Sequence, residues 1–194
     1  MRIFKTILEL AKWRKQKFQP PVPYEVKVKT LERFNLPEAT WVETGTFHGT
    51  TALFLSKIAK RVYTIEASEE LYLEAQKKLN NNPSIVSMFG KSQEKMSEIL
   101  PNLSGNVCFW LDAHYCGPKT FNQDSRCPLL LELEIILRDL PRLKHVNILI
   151  DDIRDFTTGR DDYPDKTEVI QAARPFLTNW EIINDILVLQ RIVR

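Results

Sequence analysis

Residues 41–51 constrain this chain of 194 residues more than any other part of its sequence. A short apolar segment that ends at Glu43 is joined to an amphipathic segment by a turn of small residues that includes Gly45 and Gly49. Glycine permits sharp bends and lets a ligand approach the backbone closely. The free N–H groups at the start of the following predicted helix, Thr50–Lys60, point into the same space. The stretch therefore indicates a site for a nucleotide-type cofactor.

This turn differs from the two common phosphate-binding loops. A P-loop ends in Gly-Lys-Ser/Thr, which does not follow Gly49, and a dinucleotide fingerprint needs glycine where this chain has Phe47. A second predicted strand closes instead on Glu66, 21 residues after Gly45. In βαβ cofactor sites, an acidic residue meets the ribose after an interval of about 20 residues. Glu66 is therefore a candidate ribose ligand, and a solvated strand end is the alternative interpretation.

The composition predicts a single domain with a sizeable core. The length fits one domain, and 43% of the residues are hydrophobic. The net charge is +2, but residues 1–19 alone carry +5, so the basic character is local. The sequence has no run of 18 apolar residues and no secretory leader pattern, so we expect a cytoplasmic protein. Three cysteines without a CxxC spacing support neither a disulfide framework nor a zinc knuckle.

Residues 1–37 are expected to form a helical extension of a main domain at residues 38–194. Residues 3–18 place apolar side chains at helical spacing among basic ones. That pattern fits an anionic membrane surface, or packing on the domain or on a partner protomer, which is the use we favour. Three prolines between positions 20 and 23 make a stiff connector, and Tyr24–Asn35 resumes helical spacing.

The main domain alternates predicted strands with predicted helices. Beyond the first strand, strands are expected at Arg61–Ile65, Ser84–Phe89, Val107–Leu111, Val146–Ile150, Trp180–Asn184 and Ile186–Val193. Beyond the first helix, helices are expected at Glu69–Leu79, Glu94–Leu100, Leu129–Leu140 and near Thr167–Leu177. Five strands that alternate with helices and a closing hairpin predict an α/β fold with a doubly wound, mostly parallel seven-stranded sheet.

Acidic residues follow three of the predicted strands. The first, fourth and fifth strands end at Glu43, Asp112 and the pair Asp151 and Asp152. In a doubly wound sheet these ends converge near the reversal in strand order. Carboxylates in one cleft repel each other, and a divalent cation such as magnesium, calcium or manganese commonly keeps them ionised. Alternatively, Asp112 only orients the cofactor and the aspartate pair caps the next loop.

The acidic strand end and the glycine turn resemble the first motif of the class I S-adenosylmethionine (SAM)-dependent methyltransferases, and the likeness extends from about Glu38 to the C-terminus. The resemblance implies a Rossmann-like methyltransferase fold, in which Gly45 lies beneath the methionine part of SAM and Glu66 holds both ribose hydroxyls. Glu43 would shape the same end of the pocket. Further cofactor contacts are implied at Thr46, Phe47, Gly49, Ala67, Ser92, Gln93 and Asp112. Among these, Ser92 and Gln93 would contact the adenine, and a polar helix cap is their alternative role.

Two later motifs narrow the resemblance to the metal-dependent, macrocin-type sugar O-methyltransferases. They are Leu111-Asp112-Ala113-His114-Tyr115 and Ile150-Asp151-Asp152. The resemblance implies that Asp112, Asp151 and Asp152 hold a divalent cation, expected to be magnesium. It also implies that the residue two positions after Asp112 is the general base. That residue is His114, where relatives often carry aspartate, and a neutral imidazole can accept a hydroxyl proton near pH 7.

The sequence therefore predicts a SAM-dependent methyltransferase that uses a divalent cation to O-methylate a sugar or another small polyhydroxylated molecule. His114 and Asp112 are the predicted catalytic residues. No nucleic-acid partner is predicted, because basic and aromatic residues are not interleaved as nucleotide contacts require. Membrane contact through residues 1–19 and a homo-oligomer stay open.

Four alternative interpretations stay open, three of the function and one of the metal. One is a metal-independent methyltransferase in which His114 alone positions the acceptor. Another is a zinc site formed by His114, Cys116 and Cys127 with Asp112. The third is a non-catalytic SAM-fold binding or scaffold module, and the fourth is a nicotinamide oxidoreductase.

Overall fold

The fold is known from a computed structural model that describes residues 2–112, 127–157 and 163–193. The strands are β1 (Thr40–Thr44), β2 (Arg61–Glu66), β3 (Ile85–Phe89), β4 (Asn106–Leu111), β5 (His145–Ile150), β6 (Asn179–Ile183) and β7 (Ile186–Ile192). The helices are α1 (Arg2–Lys15), α2 (Tyr24–Arg33), α3 (Thr50–Leu55), α4 (Glu69–Leu79), α5 (Ser92–Ile99), α6 (Leu129–Asp139) and α7 (Lys166–Ala173).

The seven described strands form one sheet in the order β3-β2-β1-β4-β5-β7-β6. Strands β1 to β5 pair in parallel, whereas β7 pairs antiparallel with both β5 and β6. The chain thus runs outward from β1 to β3 and then crosses back to β4 on the other side of β1. The predicted α/β fold with a mostly parallel seven-stranded sheet is confirmed.

The central strands are buried on both faces, which explains their continuous apolar runs. In β4, Phe109 and Leu111 pack on the side of α5, α6 and α7. The alternate residues Cys108 and Trp110 pack on the other face with Leu31 and other apolar residues of α2 and α3. Cys108 is fully buried, so its predicted role as a core residue is confirmed. The N-terminal helix α2 therefore covers one face of the sheet.

Local sequence signals set several boundaries. Helix α4 begins after Ser68, whose hydroxyl accepts a hydrogen bond from the Leu71 N–H, and acidic and basic residues occupy its first and last turns. Asn184 and Asp185 both adopt positive φ angles, 52° and 64°, between β6 and β7. Positive φ at both central residues is what a two-residue type I′ hairpin requires.

Several predicted helices differ from the structure at their ends, and α3 and α5 show how. Helix α3 ends at Leu55 rather than Lys60, because the N–H groups of Lys57 and Ile58 bond to carbonyls three residues back and tighten the chain into turns. Helix α5 begins at Ser92 rather than Glu94. Its N-cap is Lys91, so the alternative role of Ser92 and Gln93 as a cap is wrong.

Candidate functional site

The reversal in strand order brings three strand ends to the same edge of the sheet. The Asp112 N–H donates to the Thr44 carbonyl at 3.1 Å, and the Asp151 N–H donates to the Leu111 carbonyl at 3.1 Å. These bonds hold the residues that follow β1, β4 and β5 side by side. The edge lies at the topological switch point, where open α/β sheets bind their ligands.

The glycine turn after β1 has two parts with different roles. Gly45 adopts φ 84°, and its N–H donates to the Ile65 carbonyl at 2.9 Å, which fixes the turn against β2. Gly49 adopts φ 73° and is the N-cap of α3. A Cβ at Gly49 would meet the Leu79 side chain at 3.2 Å. The missing side chain of Gly49 therefore makes room for the packing of α3 on α4, and its predicted contact with the cofactor stays a prediction.

Glu66, at the end of β2, is fixed by backbone groups alone among the described residues. Its Oε2 accepts the Phe47 N–H at 2.8 Å, and its Oε1 accepts the Ser68 N–H at 2.9 Å. We call the Glu66 carboxylate and these two N–H groups the Glu66 clamp. Ala67 lies between Glu66 and Ser68 in the sequence. Each carboxylate oxygen can accept more than one hydrogen bond, so both retain acceptor capacity for hydroxyl groups. This geometry suits the two neighbouring hydroxyls of a ribose.

Glu43 is buried and is linked to the glycine turn by hydrogen bonds through Thr64 and Thr46. The described contacts form a chain in which Thr46 Oγ1 lies 2.6 Å from Thr64 Oγ1, and Thr64 Oγ1 donates to Glu43 Oε2 at 2.5 Å. Burial raises the pKa of Glu43 to about 8, against the opposing effect of the Thr64 hydrogen bond and with added repulsion from Asp112 and Glu66. Near neutral pH the carboxyl is therefore largely protonated. Thr46 joins the same network through its side chain.

Ser92 and Gln93 lie close to the Glu66 clamp. Phe89 pairs with Glu66 across β3 and β2, and the Gly90 N–H donates to the Glu66 carbonyl at 2.9 Å. Helix α5 starts two residues later, with Ser92 buried and its hydroxyl 3.3 Å from Gln93 Oε1. The start of α5 is therefore adjacent to the predicted ribose position, as an adenine contact requires. The contact itself stays a prediction.

The aspartate pair after β5 is bound by a lysine that the sequence analysis did not identify. Lys27 Nζ, on α2, lies 2.6 Å from Asp151 Oδ2 and 2.6 Å from Asp152 Oδ1. The Lys27 side chain is 15% exposed and that of Asp151 only 3%. The ion pair therefore joins the N-terminal helix to the carboxyl edge of the sheet in a largely water-free setting.

The pKa values of Lys27, Asp151 and Asp152 are shifted by different causes. Burial alone would lower the pKa of Lys27, but its attraction to Asp151 and Asp152 outweighs burial and raises the pKa. Burial, together with repulsion from Asp112, raises the pKa of Asp151 to about 8 in spite of Lys27. For Asp152 the burial effect is outweighed by Lys27 and Arg154, so its pKa is lowered. Asp152 is thus the firmly ionised partner of Lys27.

A second cation completes the pairing of Asp152. Arg154 Nη1 donates to Asp152 Oδ1 at 2.8 Å and to Asp185 Oδ2 in the β6–β7 turn. The same turn reaches α2, because Asn184 Nδ2 donates to Thr30 Oγ1 at 3.0 Å. Asp152 itself adopts φ 50°, a left-handed conformation that the surrounding hydrogen bonds enforce. The hairpin, the loop after β5 and α2 therefore form one polar network.

A cavity of about 170 Å³ opens beside this network. Its wall includes Lys27, Asp112, Asp151, Trp110, Tyr24 and Thr51. The cavity presents carboxyl groups, an ammonium group and aromatic surface to one small volume. The lining thus combines hydrogen-bonding groups with apolar surface, as the walls of small-molecule sites do.

The described residues fit the nucleoside part of SAM better than they fit a divalent cation. The Glu66 carboxylate retains acceptor capacity where the ribose is predicted, and Gly45 carries no side chain where the methionine part is predicted. The oxygens Asp151 Oδ2 and Asp152 Oδ1, by contrast, already contact Lys27. Residues 2–112, 127–157 and 163–193 contain no group of three or more His, Cys, Asp or Glu side chains that could hold a metal ion. Lys27 therefore lies between two of the predicted metal ligands, and the metal dependence stays a prediction.

Several predicted residues lie outside the described ranges. They are Ala113, His114, Tyr115 and Cys116, so the structure places neither the predicted base nor the alternative zinc site. Of the predicted metal ligands, Asp112 does lie at the end of β4 and lines the cavity with Asp151. Cys127, which with Asp112 is one of two described members of the zinc alternative, is buried.

The sequence analysis missed Lys27, Thr64 and Arg154. A signal for Lys27 was present, because it lies three residues after Tyr24 and four before Leu31, within the apolar stripe of α2. A lysine at such a position needs a buried partner. Thr64 and Arg154 gave no comparable signal, since threonine is common in strands and arginine is common in loops.

The fold is similar to that of several solved methyltransferases. A candidate methyltransferase from Streptococcus mutans, solved in complex with SAH (S-adenosylhomocysteine), is 16% identical over 89% of this chain and 98% of that chain, with a TM-score of 0.55. A candidate caffeoyl-CoA O-methyltransferase from Staphylococcus aureus is 16% identical over 95% of this chain and 91% of that chain, with a TM-score of 0.56. A candidate rRNA methylase from Clostridium thermocellum is 13% identical over 90% of this chain and all of that chain (100%), with a TM-score of 0.59.

These likenesses confirm the class I methyltransferase fold that the sequence predicted. No family model matches the chain, and no curated protein matches it. At such low identity a shared fold does not carry the activity with it. The macrocin-type likeness and the metal dependence stay predictions.

Proposed function

We propose that this protein is a SAM-dependent methyltransferase that methylates a hydroxyl group of a sugar or another small polyhydroxylated molecule. The observation that carries the proposal is the Glu66 carboxylate, which two backbone N–H groups fix at the end of β2, next to the Gly45 turn. Two backbone donors orient the carboxylate so that its two oxygens can accept hydrogen bonds from two hydroxyl groups. That is the chemistry by which a ribose is recognised at this position of the fold.

Bound SAM would supply a methyl group on a sulfonium, so that an O–C bond forms to the acceptor as the S–C bond breaks and a neutral thioether leaves. Gly45 would let the methionine part pass over the backbone, and Glu66 would fix the ribose. Holding donor and acceptor in line supplies much of the rate enhancement in such a displacement. The acceptor hydroxyl must also lose a proton, and His114 is the residue we propose as the base.

The charge of the carboxyl edge favours a small neutral acceptor over a nucleic acid. Glu66 ends β2 and Asp112 follows β4 at this edge, whereas Asp151 and Asp152 are paired with Lys27 and Arg154. A phosphate backbone is repelled by such a surface and needs basic contacts instead. A sugar fits the cavity beside Lys27, because its hydroxyls can bond to carboxyl and ammonium groups while its ring faces contact aromatic residues such as Trp110.

Calorimetric titration with SAM and SAH tests the proposal at its first step. We expect one ligand per chain with micromolar affinity, and transfer of a labelled methyl group from SAM to one member of a panel of sugars and nucleotide sugars. Absence of binding at millimolar SAM would contradict the proposal and support a scaffold module. Binding of NADH in place of SAM would support the oxidoreductase alternative.

A further inference from the structure

The aspartate pair where the fold predicts a metal ion is already neutralised by a side chain. We propose that the Lys27 ammonium takes the place of the divalent cation, so that Asp151 and Asp152 bind no metal in the working protein. The part of this inference that concerns catalysis rests on the proposed methyltransferase function. The part that concerns metal binding stands independently of it.

The geometry supports the substitution. Lys27 Nζ contacts one oxygen of each aspartate at 2.6 Å, which is the bridging position that a shared metal ion would need. Arg154 occupies the outer side of Asp152 and ties it to Asp185. A cation entering this pair would have to displace an ammonium group that is held by two charge-assisted hydrogen bonds in a largely buried position.

The substitution is built into the fold rather than produced by one flexible side chain. Helix α2 is anchored by Leu31 and Phe34 in the core and by Asn35, whose amide bonds to the Ile58 carbonyl at 2.9 Å. Asn184 in the β6–β7 turn holds Thr30 of the same helix at 3.0 Å. These contacts fix the part of α2 that follows Lys27. The ammonium group is therefore presented to the aspartates by a rigid element.

An ammonium at this position can also serve the acceptor. Lysine carries three N–H donors, of which Asp151 and Asp152 take two. The remaining N–H and the Asp112 side chain line the same cavity. We therefore assign Lys27 as a positioning residue that donates a hydrogen bond to the acceptor oxygen. It holds the oxygen in place while the proton leaves to the base.

Manganese binding, followed by electron paramagnetic resonance, tests the metal part without any assay of methyl transfer. We expect the wild-type chain and Lys27→Arg to bind no Mn²⁺ at this site. Lys27→Met should bind at least about ten-fold more tightly, because a positive charge is removed from beside two carboxylates. Lys29→Met, on the exposed side of the same helix, is the matched control and should behave as the wild type does.

Binding of one Mn²⁺ per wild-type chain with micromolar affinity, weakened by Asp152→Asn, would overturn the inference. This result decides the question even if Lys27→Met fails to fold. Equal Mn²⁺ affinity of a folded Lys27→Met and the wild type would also overturn it. SAM titrations on the same samples keep the two proposals apart. Loss of SAM binding rejects the methyltransferase, whereas tight Mn²⁺ binding rejects only the role of Lys27.

A second inference concerns α1 and rests on a different observation. The side chains of Phe4, Ile7 and Leu8 are 74%, 57% and 63% exposed, and Ala11 is exposed beside them. Their spacing of three, four and seven residues places them on one face of the helix. The opposite face turns toward the protein, where Thr6 Oγ1 donates to Glu25 at 2.6 Å. Helix α1 therefore presents Phe4 and Leu8 away from the body of the protein, whereas the half-exposed Ile7 also lines a cavity between α1, α2 and α3.

Basic residues surround this apolar face of α1 at its C-terminal end. Lys12, Arg14, Lys15 and Lys17 are all exposed, and residues 1–19 carry a net charge of +5. We propose that this face lies on an anionic lipid surface, with the apolar side chains in the interface and the cations among the headgroups. None of the described helices is long and apolar enough to cross a membrane, so the attachment would be peripheral.

Co-sedimentation with vesicles tests the second inference. We expect binding to vesicles of phosphatidylcholine with phosphatidylglycerol and none to phosphatidylcholine alone. The variant Phe4→Ser with Leu8→Ser should bind at least about ten-fold more weakly, because two large apolar side chains leave the interface. Leu73→Ser, on the exposed side of α4, is the matched control and should bind normally. Absence of binding, or equal binding by the double variant, would overturn the inference. So would a dimer, seen by ultracentrifugation, that the double variant dissociates.

Discussion

Two carboxylate sites lie at the same edge of the sheet and are held in opposite ways. Glu66 is fixed by the neutral N–H groups of Phe47 and Ser68, whereas Asp151 and Asp152 are bridged by the charged group of Lys27. Neutral donors orient a carboxylate and leave its charge for a ligand. A cation neutralises a carboxylate and, as we propose for Lys27, excludes a second cation. On these proposals the first site receives hydroxyl groups, and the second is complete without a metal ion.

The largest expected effect of breaking this contrast is on SAM binding. Glu66→Ala removes both acceptors of the ribose hydroxyls, and each hydrogen bond to a charged group contributes roughly 1.5–3 kcal/mol. We expect the affinity for SAM, measured by calorimetry, to fall about 100-fold or more. Glu38→Ala, exposed at the opposite edge of the sheet, is the control and should leave the affinity unchanged. An unchanged affinity of Glu66→Ala would show that the ribose lies elsewhere.

The second prediction concerns the stability of the protein when Lys27 no longer pairs with Asp151 and Asp152. Lys27→Met leaves the ionised, half-buried Asp152 with Arg154 as its remaining described cation, and we expect the free energy of unfolding to fall by about 2 kcal/mol. Adding Asp151→Asn and Asp152→Asn should recover most of this loss, since the unpaired charge is then gone. Denaturant unfolding of the single, double and triple variants gives these values. A single variant as stable as the wild type would mean that the ion pair contributes little.

A third prediction concerns pH. The pKa of Glu43 rises from 4.5 to about 8 on folding, and that of Asp151 from 3.8 to about 8. The native state thus holds protons that the unfolded chain releases, so stability falls as pH rises from about 5 to about 8. Each group contributes at most about 1.4 kcal/mol per pH unit. Glu43→Gln should halve the slope of unfolding free energy against pH. A slope of the opposite sign would contradict the assignment.

The smallest expected effect tests the support beneath the glycine turn. Thr64→Val keeps the shape of the side chain but removes the hydroxyl that links Thr46 to Glu43. We expect a loss of about 1–2 kcal/mol in unfolding free energy, the usual cost of leaving buried polar groups unpaired. The affinity for SAM should fall only slightly, because Glu66 keeps both of its backbone donors. A loss of SAM binding as large as that of Glu66→Ala would place Thr64 in the ligand site itself.

The sequence predicted the fold because the signals for the fold are local. Helix α4 has the predicted bounds, since Ser68 caps it and Asn80 to Pro83 end its pattern. The run from Val107 to Leu111 predicted a strand that is buried on both faces. Helix α3 was predicted too long, because Leu55 to Lys60 keeps helical composition while tighter turns lead the chain back to β2.

The site was predicted less completely because its contacts join distant parts of the chain. Strand ends can be inferred from strand order, which is why Glu66, Asp112 and Asp151 were identified as edge residues. The partner of an aspartate cannot be inferred in this way. Lys27 lies 124 positions before Asp151, and only the packing of α2 on the sheet brings the two together. The prediction of a metal ion arose from counting the carboxylates without that cation.

A crystal structure of the protein with SAH tests whether Glu66 holds the ribose of the cofactor. We expect both ribose hydroxyls to lie within hydrogen-bonding distance of the Glu66 carboxylate, with the methionine part over Gly45. A nucleoside bound at another part of the sheet, or packed side chains filling the space above Gly45, would contradict this expectation.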